Sequence, residues 1–242
     1  MPISLSDATK TGLYFAGWYT DSAFTSKRLT QIAAGTLKNV KLWARFSSEP
    51  LVFDLVGTSA YSVSAANSSI SGDIVIPSTY DGKSVVVIQN HAFANCKNIT
   101  SIQIPSTVKS LGINAFENCS KLTSITIPDG VTFIPNNAFV GCSSLASVDI
   151  PQSVESIGAS AFEGCTSITS ITLPANMSEI GKNAFAGCSQ LATIKVLGET
   201  PATLKSGAFP SSVQKIYVKS SLVATYKSAW TEYASKIFAS TT

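Results

Sequence analysis

The chain has 242 residues, of which 45% are hydrophobic and only 13% are charged, and its formal net charge is +3. So small a charge does not favour nucleic acid binding, and no apolar run approaches the about 20 residues that a membrane-spanning helix needs. Residues 1–46 and 195–242 each carry a net charge of +4, whereas residues 47–194 carry −5. We interpret this uneven distribution as solvated surface.

Two aromatic stretches at residues 15–21 and 40–46 predict a small β-rich module, with a turn at Asp21-Ser22 after the first strand. The segment Gly17-Trp-Tyr-Thr-Asp21 and the segment Leu42-Trp-Ala-Arg-Phe46 resemble the Listeria–Bacteroides repeat of internalins and other bacterial surface proteins. The second segment has its aromatics exchanged, and nothing before Thr11 matches the opening strand of that family. We therefore expect residues 1–47 to form a partial repeat, which the resemblance implies is an extracellular spacer or contact module. We expect its core to consist of Trp18, Trp43 and Phe46.

Residues 48–73 alternate apolar and polar side chains over 51–55 and over 61–64, as half-buried strands do. They predict a hairpin that covers the end of the following array, because the first unit of a stacked array would otherwise expose its core.

From Ile99 to Leu197 the sequence repeats with a step of 23 residues, after a longer first unit that begins at Ile74. Four copies of a strand ending in Pro begin at Ile99, Leu122, Leu145 and Ile168, and the cysteines keep the same step. A fixed period of this length predicts a solenoid, in which one short unit stacks on its own copies. An insertion at residues 78–82, which contains Asp81-Gly82, predicts a hairpin turn in the first unit.

Each unit is predicted to have three parts. A strand directs residues such as Ile102 and Ile104 inward, because alternate residues of a strand share one face. A second segment, such as Val131 and Ile134, lines the opposite wall, and a Gly or Pro then turns the chain. An Ala-Phe-x-x-Cys turn follows, in which the Phe fills the core.

The unit Leu-x-x-Leu-x-Leu-Pro-x-x-Leu-x-x-Ile-Gly-x-x-Ala-Phe-x-x-Cys resembles the BspA-like, Treponema-type leucine-rich repeat. This resemblance implies a β-rich leucine-rich-repeat solenoid over residues 48–242, with short helical or 3-10 turns and a parallel sheet on one face. We expect an N-terminal cap at 48–73, repeats at 74–212, and a C-terminal strand and helical cap at 213–242. Ser221 is predicted to cap the helix of that final segment.

No residue pattern points to catalysis, to a cofactor or to a metal. The cysteines lack the paired spacing of zinc ligands, and we interpret all five as small buried hydrophobes. His91 occupies a turn position that holds Asn or Ser in later units, so it is interpreted as a surface residue. No nucleophile elbow, phosphate loop or dinucleotide motif occurs, and we expect the protein not to be an enzyme.

The outward face of the first strand is the candidate binding surface, because solenoid sheets serve as extended contact surfaces. It carries ten candidate partner-binding residues in two columns: Ser101, Ser124, Ser147, Ser170 and Thr193 in the first, and Gln103, Thr126, Asp149, Thr172 and Lys195 in the second.

The family resemblance implies a secreted or cell-surface binding module of a bacterium, acting in adhesion or protein–protein contact. We expect a protein partner from the host matrix, the host cell surface or another bacterial surface, with a glycan as a second possibility. Neither nucleic acid binding nor membrane insertion is expected, and the protein is expected to be a monomer. Since no signal peptide opens the sequence, we expect that the export signal is missing from it. The alternative function is a passive spacer in a longer stalk.

Overall fold

The computed structural model describes residues 3–4, 14–20, 29, 31–32, 41–47 and 50–240. At the N-terminus, β1 (Ile3–Ser4) and β2 (Tyr14–Tyr19) are followed by β3 (Gln31–Ile32) and β4 (Trp43–Ser47). β1 pairs with β3 and β2 pairs with β4, both antiparallel. The two aromatic stretches therefore form paired strands, while the turn predicted at Asp21-Ser22 lies outside the described residues.

The predicted capping hairpin is present, formed by β5 (Leu51–Val56) and β6 (Ala60–Ala65). Tyr61 and Val63 of β6 belong to the main core, so the hairpin covers the end of the stack. β7 (Ser71–Val75) follows, and then β8 (Thr79–Tyr80) and β9 (Lys83–Ile88) form a second hairpin, with β9 parallel to β6. Its turn, Asp81-Gly82, has φ angles of +46° and +70°, as a tight hairpin turn requires.

The remaining strands lie in two walls. The strands are β10 (Asn98–Gln103), β11 (Ser124–Thr126), β12 (Phe133–Ile134), β13 (Ser147–Asp149), β14 (Ser156–Ile157), β15 (Ser170–Leu173), β16 (Glu179–Ile180), β17 (Thr193–Val196), β18 (Thr203–Leu204), β19 (Lys215–Val218) and β20 (Ile237–Ala239). They alternate between the walls from β11 to β19.

Both walls consist of parallel strands. The first wall comprises β7–β10, β11–β13 and β15–β17–β19–β20, and the second comprises β12–β14–β16–β18. Within each wall, residues one unit apart lie side by side, so that Ser124 is opposite Ser147 and Ile134 is opposite Ile157. The 23-residue step of the sequence is therefore the register of the sheet.

The core between the walls contains a column of stacked phenylalanines. The rings of Phe93, Phe116, Phe139, Phe162 and Phe185 are fully buried, and successive centroids are 5.1–5.4 Å apart with interplanar angles of at most 8°. The predicted inward residues of the first strand and of the second segment enclose this column. β-branched residues dominate these strands, as buried parallel strands prefer.

The C-terminal cap differs from the prediction in two respects. A 3-10 turn (Ser220–Leu222) leads into α1 (Val223–Ala229), so Leu222 rather than Ser221 precedes the helix and no side chain caps it. A second 3-10 helix (Thr231–Lys236) then leads into β20, which adds a further parallel strand to the first wall.

Three aromatic side chains fix this cap on the last units through their polar atoms. The Tyr226 hydroxyl donates to the Gly198 carbonyl (2.8 Å) and Trp230 Nε1 donates to the Ala202 carbonyl (2.8 Å). The Tyr233 hydroxyl donates to the carbonyl of Phe209, a core residue of the last repeat (3.1 Å). All three rings are buried, so their polar groups require such partners.

Candidate functional site

The ten candidate residues lie on the outward side of the first wall. Their inward neighbours, such as Ile125 and Ile171, are buried. Strand register places Thr126 beside Asp149, and Thr172 beside Lys195. Because adjacent strands are about 4.8 Å apart, each column presents one side chain per unit at that spacing.

Eight of the ten candidate residues are exposed, and the other two, Ser101 and Thr193, are half-buried. Ser101 is also engaged, because its hydroxyl donates a 2.6 Å hydrogen bond to Asp73 Oδ1. Thr100 donates to the same oxygen at 2.9 Å. These hydrogen bonds, with that from Ser101 the stronger influence, hold the pKa of the Asp73 carboxyl below its usual value.

The structure extends both columns beyond the residues that the sequence indicated. Asp73 lies beside Ser101 in the first column, and Val75, which is 60% exposed, lies beside Gln103 in the second. At the other end, Tyr217 lies beside Lys195, and Phe238 lies beside Tyr217. The sequence indicated the Tyr217 position, because Tyr217 is the outward residue of the last predicted strand. The sequence did not indicate the Phe238 position, because the strand that carries Phe238 follows helical turns.

The turns of successive units repeat a left-handed backbone conformation. At one equivalent position of each unit a non-glycine residue has φ between +54° and +57°: His91, Asn114, Asn137, Ser160 and Asn183. Asn tolerates this conformation better than most residues, which explains its use here. His91 is 63% exposed, and its Nδ1 lies 3.9 Å from Glu117 Oε2. It is therefore a surface turn residue, as predicted.

The five cysteines are free and buried, as predicted. The thiols of Cys119, Cys142, Cys165 and Cys188 each lie 3.1–3.2 Å from the carbonyl oxygen of the core Phe of the preceding unit, in position to donate to it. Burial raises the pKa of Cys96 and of Cys188 to about 12 and also raises that of Cys165. Thiols in this state are poor nucleophiles, so the column acts as part of the core.

The described residues offer little for chemistry. No group of three or more His, Cys, Asp or Glu side chains among them is placed to hold a metal ion. A shallow depression of about 540 Å³ near the last units is lined mostly by small residues, among them Gly187, Gly207 and Ser211. Across the same part of the chain, none of the helices has the length and apolarity to cross a bilayer.

Two walls of short parallel strands around a phenylalanine column define a leucine-rich-repeat solenoid. Residues 86–216 match the BspA type leucine rich repeat region in six copies, and the chain therefore belongs to that family. No enzymatic family is indicated. The match does not reach residues 1–47, so the Listeria–Bacteroides resemblance of that segment stays a prediction.

Solved structures of bacterial proteins share the fold. A T. pallidum leucine-rich repeat protein matches with 27% identity and a TM-score of 0.59, over 69% of this chain and 84% of its own. A leucine-rich cell surface protein of Faecalibacterium prausnitzii matches with 30% identity and a TM-score of 0.56, over 69% of this chain. A leucine-rich repeat protein of Bacteroides ovatus matches with 28% identity and a TM-score of 0.51, also over 69%. The matches span 48% of the F. prausnitzii protein and 54% of the B. ovatus protein. No curated protein matches the sequence significantly.

Proposed function

We propose that this chain is a protein-binding module of a bacterial surface or secreted protein, and that it contacts its partner through the outward face of the first wall. The observation that carries the proposal is the face itself: one side chain per unit in each of two columns, on a sheet whose register is held by a continuous buried core. A rigid surface loses little conformational entropy when a partner binds, which favours recognition.

The chemistry of the face favours a protein partner. Its centre consists of hydroxyls, with Asp149 as the only charged group among the ten candidate residues before Lys195. Hydroxyl groups make direct and water-mediated hydrogen bonds, and these are a regular part of protein interfaces. The partner classes are a host matrix protein, a host cell-surface protein or another bacterial surface protein, with a glycan as an alternative ligand.

The domain organisation supports an extracellular location. We propose that residues 1–47 form a partial Listeria–Bacteroides-type repeat, followed by a capping hairpin at 48–73, repeats at 74–212 and a C-terminal cap at 213–242. The F. prausnitzii relative is described as a cell surface protein, and the same location is proposed for this chain.

A passive spacer is the second candidate function. It is favoured by the serial arrangement of a small β module and a stack of near-identical units, since such a chain separates whatever lies at its two ends. In that case the outward face would have no partner, and changes to it would have no effect on binding.

The test is a binding screen against arrays of matrix proteins, cell-surface proteins and glycans, with two matched variants. The face variant combines Thr126→Lys, Asp149→Lys and Thr172→Lys. The control combines Thr132→Lys, Glu155→Lys and Ser178→Lys, which are exposed residues on adjacent units of the second wall. Both variants place the same residue types on three consecutive units and add the same charge. Circular dichroism confirms that each is folded.

We expect a ligand that binds the native chain and the control but not the face variant. Loss of ligand binding in both variants would mean that the added charge, and not the change to the outward face, abolishes binding. Retention of ligand binding in both variants would place the contact elsewhere in the chain. Absence of any ligand on all arrays would favour the spacer.

A further inference from the structure

The C-terminal end of the outward face differs in chemistry from the rest. Strand register brings Lys195, Tyr217 and Phe238 onto three adjacent strands of one column. In the other column Lys215 lies beside Thr193. These four residues, Lys195, Lys215, Tyr217 and Phe238, are called the end patch below. It combines two cations with two aromatic rings on a face that is otherwise rich in hydroxyls.

The aromatic rings of the end patch are available to a partner. The Phe238 side chain is 44% exposed, and the Tyr217 ring is half-buried beside it, with centroids 6.4 Å apart at an interplanar angle of 48°. The inward residues of the same strands, Ile216 and Ile237, are buried, so the rings are not needed to fill the core. An exposed aromatic pair on a rigid sheet is typical of the anchor positions of protein interfaces.

The cations of the end patch are also available. Lys195 and Lys215 are exposed, and neither forms an ion pair within the part of the chain that the structure describes. Two neighbouring lysines are paired instead: Lys205 with Glu179 at 2.9 Å, and Lys219 with Glu199 at 2.8 Å. The patch belongs to residues 195–242, which carry a net charge of +4.

The first wall ends at β20, beside the patch. β20 is the last strand of the first wall, and no other strand in the described ranges pairs with its outer side. Unpaired N–H and C=O groups along such an edge are a common template for an added strand from another polypeptide.

We propose that the end patch is a docking site for an extended acidic polypeptide segment of a partner protein. An apolar side chain of the segment rests on Tyr217 and Phe238, its carboxylates meet Lys195 and Lys215, and its main chain lies along β20. Charge complementarity selects an acidic segment over a neutral or basic one. This inference rests on the proposed function and names the part of the face where recognition is strongest.

The direct test measures binding of a fluorescent synthetic octapeptide in which Glu alternates with Val and Phe, by fluorescence anisotropy at low and high salt. A peptide with Lys in place of Glu is the control ligand. The patch variants are Lys195→Glu with Lys215→Glu, and separately Phe238→Thr. The protein control is Lys182→Glu with Lys227→Glu, two exposed lysines without an ion pair among the described residues, which makes the same charge change outside the face.

We expect the Glu peptide, and not the Lys peptide, to bind the native chain and the control, and to bind more weakly as salt rises. Either patch variant should weaken binding about tenfold or more, as loss of a central aromatic or of complementary charge does. Equal binding by all proteins, or equal binding of both peptides, would overturn the proposal. Self-association lost on Lys195→Glu with Lys215→Glu, seen by size-exclusion chromatography, would identify a second copy as the occupant and also overturn it.

The same patch variants are tested on the arrays. If they keep the native ligand while the Thr126, Asp149 and Thr172 variant loses it, the end patch is not the docking site but the proposed function stands. If no array ligand depends on any part of the face, the proposed function fails as well.

Discussion

Truncating Phe139 to Ala tests the central element of the fold, the stacked phenylalanine column. The Phe139 ring is fully buried between Phe116 and Phe162, whose centroids lie 5.2 and 5.1 Å away. Truncation of a buried Phe costs about 3–5 kcal/mol of unfolding free energy, and more when the surroundings cannot collapse into the cavity. The neighbouring rings cannot move together, because backbone hydrogen bonds of 2.8 Å from the Phe116 and Phe139 N–H groups tie these turns to the turns that follow them. We therefore expect a cost in the upper half of that range, about 4–5 kcal/mol.

Equilibrium urea unfolding followed by circular dichroism measures this cost, with Phe133→Ala as the matched control. Phe133 lies on the second wall and is 45% exposed, so the same truncation there should cost less than about 1 kcal/mol. The native chain and both variants must show a single cooperative transition for the free energies to be compared. A cost below about 1 kcal/mol for Phe139→Ala, or equal costs at the two positions, would refute the reasoning.

Three further predictions concern the thiols, the close contacts between units and the one engaged carboxylate of the face. All five thiols should react slowly with a thiol reagent at neutral pH in the native protein and fully after unfolding, because all five are buried away from the reagent, and fast native labelling of Cys142 would contradict this. Gly181→Ala should cost about 1–3 kcal/mol in urea unfolding, as overpacking does, because a Cβ there would lie 2.5 Å from the Gly158 carbonyl carbon; unchanged stability would show that the units are packed less closely. Ser101→Ala should raise the pKa of Asp73 toward its ordinary value in a carboxyl NMR titration, and the stabilising hydrogen bond, present at neutral pH, should be lost as pH falls through the folded pKa.

The repeat region was the most predictable part of the fold. The 23-residue step recurs in the strands, the phenylalanines and the cysteines together. In the structure, residues that are 23 apart in sequence pair with each other in adjacent strands. The hairpin at Asp81-Gly82 was equally readable, because few other residue pairs favour positive φ at both positions. In each case a local physical requirement leaves a direct mark on residue type.

Other features left no such mark. The sequence indicated a Gly at the turn after the second segment but not why glycine is needed there: neither Gly158 nor Gly181 has positive φ, and a Cβ at either would meet the backbone of the preceding unit. The strand at Ile237–Ala239 was missed because three residues give almost no periodic pattern, and its pairing depends on how the preceding helices return the chain to the sheet. The position of Phe238 at the C-terminal end of the outward face was missed for the same reason.

The sequence predicted correctly that the candidate residues lie on the outward side of the first wall, but it did not identify what they bind. Alternation within the strands fixed which side chains point outward, and the structure places Thr126 and Asp149 there, on adjacent units. Residue type at an exposed strand position depends both on strand propensity and on any partner, and a single sequence does not separate the two. The binding roles of these residues therefore stay predictions.

The register of the walls also bears on how such a protein changes over evolutionary time. Each unit of such a solenoid packs on the unit before and the unit after it, and the backbone hydrogen bond from each core Phe N–H to the Ala carbonyl of the next unit recurs along the column. Duplication or loss of one 23-residue segment therefore leaves every surviving junction intact. The gene can lengthen or shorten the protein in whole steps, and each added step supplies fresh outward positions that mutate freely while the interior stays constant.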